Sequence, residues 1–66
     1  MGSHQRRVLV LLTKGFTNPE IATHLGLSLP TARYHVSAIL QKLDVSNRVE
    51  AVAMAIRLGL ISENDF

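Results

Sequence analysis

The stretch GFTNPEIATHLGLSLPTARYHVSAILQKL, Gly15–Leu43, decides the fold, because two helical patterns lie back to back within it. Thr17 and Glu20 have the spacing of a capping box, and Pro19 falls in the first turn, where its missing N–H costs nothing. Ile21, Ala22 and Leu25 share one face, and Gly26 ends that helix. Ser28 caps the next helix only two residues later. Two helices joined by about three or four residues containing glycine form the helix-turn-helix signature.

Working outward, Val8, Leu9, Leu11 and Leu12 make the apolar stripe of a first helix, and Gly15 suits the position just past its end. Asp44–Asn47 interrupts the pattern on the other side. Asn47 with Glu50 offers a second capping box for a fourth helix that Gly59 closes. Strand alternation is absent. The expectation is an all-α, four-helix bundle with helices at about 5–14, 18–25, 29–43 and 48–58. The opening MGSH resembles an expression-vector remnant and is set aside, which gives a domain over 5–61 and a polar tail over 62–66.

Composition narrows the function classes. The chain of 66 residues has no cysteine, so neither disulfides nor a thiolate zinc site can supplement its core. With 47% hydrophobic residues and only Phe16, Tyr34 and Phe66 aromatic, the core should be aliphatic. No apolar run is long enough to span a bilayer and no secretory signal is present, so the cytoplasm is the expected location. All seven Lys and Arg lie at or before Arg57, whereas Glu63 and Asp65 sit in the tail. That distribution leans modestly toward an anionic partner. His4, His24 and His35 lack metal-ligand spacing, and neither paired carboxylates nor a Gly-rich phosphate loop occurs. No enzyme, metal or cofactor is expected.

At 100° per residue, the third helix separates into two faces. Ala32, Val36, Ile39, Leu40 and Leu43 form a core stripe. Pro30, Tyr34, Ser37, Ala38 and Gln41 fall roughly opposite, flanked by Arg33 and His35. A merely solvated face usually carries Glu/Lys pairs four apart. This one has small polar groups, a tyrosine and no acid between Ser28 and Leu43. Small residues allow close approach, and missing acids avoid repulsion from phosphates, as a major-groove helix requires. In the fourth helix Ala51, Val52, Ala55 and Leu58 give a core side, yet Val49, Ala53 and Ile56 cluster on the far side. A second apolar stripe of this kind points to a partner surface, most simply the same helix of a second copy.

These residues together resemble the LuxR/FixJ-type (NarL-like) helix-turn-helix domain. The match runs through GFTNPEIA, LSLPTARYH, LQKLDVSNR and AVAMA with GLI, at fixed spacing from about Gln5 to Ile61. The resemblance implies sequence-specific binding of double-stranded DNA for transcriptional regulation, as a homodimer through the last helix. It also implies a bacterial response regulator, with an N-terminal receiver or sensor domain and RNA polymerase as a further partner. Carried over residue by residue, Arg33, Tyr34 and Ser37 take positions that commonly reach bases, and Gln41 shares their face. Thr17, Asn18 and Thr31 take positions that commonly touch phosphates. His35 and Lys42 fall on the family's His and Lys, at backbone or packing contacts, and Arg48 braces the fourth helix or reaches phosphate. Val49, Ala53 and Ile56 would form the dimer interface.

The chain also departs from the pattern. Pro19 replaces a frequent cation, Ser37 stands where many members have Lys or Arg, and Ala32 is thinner than the usual Val. Gln5 replaces a usual Glu, and the Leu–Thr–x–Arg lead-in is missing. Weaker non-specific DNA binding than in a typical member is the expected result. Two rival readings are a sigma-factor-like promoter-reading module and a protein-interaction module without DNA binding. The AVAMAIRLGLI close and the apolar fourth helix count against the first.

Overall fold

The computed structural model describes residues 2–61. It has four helices: α1 (Ser3–Thr13), α2 (Asn18–Leu25), α3 (Leu29–Lys42) and α4 (Arg48–Arg57). No strand occurs among the described residues. α3 packs on both α2 and α1, and α4 closes the bundle against α1 and α3.

Local chemistry explains where the helices begin. Thr17 is a complete capping box: its hydroxyl accepts from the Glu20 N–H at 3.3 Å, and its own N–H donates to Glu20 Oε1 at 2.9 Å. Ser28 Oγ accepts from the Thr31 N–H at 3.2 Å and donates to Thr31 Oγ1 at 2.8 Å. At α4 the expected box is only half realised. Asn47 Oδ1 accepts from the Glu50 N–H at 2.9 Å, but Glu50 Oε2 takes the N–H of Ser46 at 3.0 Å, one residue before the cap. α1 starts two residues earlier than expected, with Gly2 in extended conformation as its cap and Ser3 and His4 inside the helix.

All four helices end in the same way. A residue with positive φ turns the chain: Gly15 (85°), Gly26 (68°), Asp44 (54°) and Gly59 (70°). The next N–H then reaches back five residues to an otherwise orphaned carbonyl. These bonds are Phe16 to Leu11, Leu27 to Ala22, Val45 to Leu40 and Leu60 to Ala55, at 2.8–3.0 Å. Lys14, Leu43 and Leu58 are therefore cap residues, and α1, α3 and α4 each stop one residue short of the expected ends.

The core is aliphatic. Val8, Leu9, Leu11 and Leu12 of α1, Ile21 and Ala22 of α2, Ala32, Val36 and Ile39 of α3, and Ala55 of α4 are buried in one cluster. Ala51 is also fully buried. Leu25, Leu40, Leu43 and Val52 are half-buried at its edge. Leu58 corrects the expected core side of α4, since it is 58% exposed. Leu58 is the C-cap residue, its N–H still bonded to the Met54 carbonyl at 2.9 Å. Its role passes to Ile61, buried in the same cluster after the Gly59 turn. The expected tail over 62–66 lies outside the described residues.

Candidate nucleic-acid interface

α3 is 14 residues long, about 21 Å at 1.5 Å per residue, and its core stripe fixes how it is rotated. With Ala32, Val36 and Ile39 buried, Arg33, Tyr34, Ser37 and Gln41 are all exposed on the opposite side. Tyr34 is 68% exposed, unusual for an aromatic in a chain with so few. Ala38, expected on the outer face, is half-buried. The exposed face contains hydroxyls, an amide, a phenol and a guanidinium, with no carboxylate. It can donate to base acceptors and offer apolar contact, and it does not repel phosphate.

The expected backbone-side residues divide into two groups. Thr17 and Thr31 are exposed and sit at or beside helix starts, where N–H groups and the helix dipole favour anions. Lys42 is exposed in the last turn of α3. Arg48 and Asn18, by contrast, are bound to each other. Arg48 Nη2 donates to Asn18 Oδ1 at 2.7 Å, and Nη1 donates to the Phe16 carbonyl at 2.7 Å. This clamp ties the start of α4 to the start of α2.

His35 is half-buried, with its Nδ1 enclosed and without a hydrogen-bond partner among the described residues. Its ring stacks on His4, with centroids 5.5 Å apart, and meets Tyr34 nearly edge-on at 5.6 Å. His4 was set aside with the opening segment, yet it braces the flank of α3.

Two further features were not singled out by any motif. Arg6 Nη1 donates to the Leu60 carbonyl, joining α1 to the turn after α4. A groove of about 550 Å³ between α1 and the end of α2 has Arg6, Arg7, Lys14 and His24 around Val10, Leu11 and Leu25. Arg7 and Lys14 are seven residues apart, two helical turns, and that spacing was the available signal. Val49 (75% exposed) and Ile56 (58% exposed) stand out on α4 with exposed Ala53 between them.

Comparisons with known proteins agree with the fold. Residues 2–55 match the family described as bacterial regulatory proteins, luxR family. The response regulator protein VraR from Staphylococcus aureus and from Staphylococcus epidermidis is 40% identical over 57 residues, which is 86% of this chain. The chain spans only 27% of the length of those curated relatives. Among solved structures, the transcription factor GerE superposes with a TM-score of 0.85 at 34% identity, covering 94% of this chain and 92% of that one. The chain belongs to the luxR family of bacterial regulatory proteins.

Proposed function

We propose that this domain binds double-stranded DNA sequence-specifically, with α3 in the major groove, the N-terminus of α2 over the backbone, and α4 pairing two copies on a two-fold symmetric site. The observation that carries the reading is the exposed, acid-free outer face of α3 in a chain of this family. In this reading Arg33, Tyr34, Ser37 and Gln41 reach base edges, with Tyr34 suited to a thymine methyl through its ring and to a polar group through its hydroxyl. Thr17, Asn18, Thr31 and Lys42 hold phosphates, and His35 does so through Nε2, because Nδ1 is enclosed. The two hydrogen bonds already made by Arg48 favour a bracing role for it over a phosphate contact.

The named relatives support a larger assembly. The domain would be the output part of a cytoplasmic response regulator with an N-terminal receiver or sensor domain, acting on transcription together with RNA polymerase. Among the described residues no helix is long and apolar enough to cross a membrane.

The test is salt-dependent binding to duplex DNA by the parent and by Arg33→Ala and Tyr34→Ala variants. The parent should bind with a steep salt slope, and each variant should lose sequence discrimination by about 1–3 kcal/mol. Binding that survives both changes unaltered would remove α3 from the groove. No binding by the parent would favour the protein-interaction reading.

A further inference from the structure

The outer face of α4 carries more than an apolar stripe. Successive helical residues turn by 100° and rise 1.5 Å. Measured from Ala53, Glu50 and Arg57 therefore lie about 60° and 40° to one side, and Val49 and Ile56 about 40° and 60° to the other. The structure agrees: Glu50, Ala53 and Arg57 line one shallow groove of about 310 Å³, with Asp44 and Met54 beside them. Val49 and Ile56 stand exposed outside it. Each α4 thus has an acid near its start and a cation near its end on one flank, with an apolar pair on the other.

Resting on the reading that α4 is the pairing surface, we infer that the two α4 helices run antiparallel about Ala53, with Glu50 of each copy against the partner's Arg57. A two-fold axis that relates antiparallel helices keeps each flank on its own side. Glu50, about 4.5 Å before the centre, then faces the partner's Arg57, about 6 Å from it. On the other flank Val49 meets the partner's Ile56. Ala53 lies against the partner's Ala53, where a methyl group allows close approach. A parallel arrangement would instead exchange the flanks, setting Glu50 against the partner's Val49 and Arg57 against the partner's Ile56. The charges are thus self-complementary in one orientation only. Glu50 is held ready by the Ser46 N–H on Oε2, which leaves the carboxylate able to accept an arginine as well.

The chain has no cysteine, so single thiols can report the register. Val49→Cys and Ile56→Cys variants are mixed, oxidised with diamide and separated by mass. Antiparallel pairing predicts the mixed disulfide, because like positions sit about 12 Å or 9 Å apart along the axis, too far to bridge. Adding Glu50→Arg or Arg57→Glu to both partners should cut the mixed product about tenfold, and adding the two together should restore it. Restoration separates the ion pair from any loss of the Ser46 bond, since the double variant lacks that bond too. Self-disulfides in place of the mixed product would overturn the antiparallel register while leaving pairing intact. A mixed product indifferent to the charge changes would overturn the ion pair. The absence of any cross-link would refute the pairing reading itself.

Discussion

At Asp44 the backbone takes the left-handed conformation that glycine takes at the other three helix ends, with φ of 54°. An L-residue other than glycine adopts it at a cost, reduced but not abolished for aspartate. A negative charge past a helix C-terminus is also unfavourable to the helix dipole. Asp44→Gly should therefore raise stability by about 0.5–1 kcal/mol in thermal melts, with the Val45 to Leu40 bond retained. The DNA-facing residues separate by a different measurement. Lys42→Ala should weaken binding equally on all sequences and reduce the salt slope by about one, whereas Tyr34→Ala should change the preferred sequence with little effect on the slope.

The helices were legible in the sequence largely because their ends are spelled out in short-range chemistry. Thr17 with Glu20, Ser28, Gly15, Gly26 and Gly59 act within five residues of one another, so spacing alone exposes them. Asp44 was legible only as an interruption, since aspartate does not announce a positive φ. Ile61 was not legible as a core residue because periodicity cannot be carried through the Gly59 turn. Long-range bonds left no sequence signal. Arg48 reaches Phe16 across 32 positions, and Arg6 reaches Leu60 across 54. The exposed face of α3 was legible because burying its other side settles which way it turns, although half-buried Ala38 shows its edge to be narrower.

Two tests belong to these elements. Arg48→Ala would leave the Phe16 carbonyl and Asn18 without their donor, and should cost about 2 kcal/mol of stability while the DNA salt slope stays unchanged. A slope reduced by about one would restore Arg48 to the phosphate contacts. At the start of α2, the backbone N–H and then the hydroxyl of Thr17 hold the Glu20 carboxyl below its ordinary range. A depressed folded-state value stabilises the fold above the unfolded-state value, and that contribution disappears as pH falls through the folded one. The stability gap between the parent and Glu20→Gln should accordingly close on acidification in melts across the carboxylate range. A gap that widened toward low pH would contradict the assignment.

For the whole molecule, a chain of 66 residues with an aliphatic core has only about 3–10 kcal/mol to hold it together. Fully buried Leu9 and Ile39 lie near the middle of that core. Trimming Leu9 to alanine should cost about 2–5 kcal/mol, enough to leave much of the population unfolded. Ile56→Glu, on the exposed side of α4, should spare the melting temperature and remove cooperative binding to paired half-sites. That contrast between a buried and an exposed apolar residue separates what builds the fold from what joins two copies.

In the proposed reading the outer face of α3 reads DNA sequence. Selection of bound duplexes from a random pool, run with the parent chain and with Tyr34→Ala, tests it most directly. The parent should enrich a two-fold symmetric motif with a fixed half-site spacing, and the variant should lose preference at matching positions in both halves. No enrichment by the parent, or the same motif recovered by the variant, would contradict it.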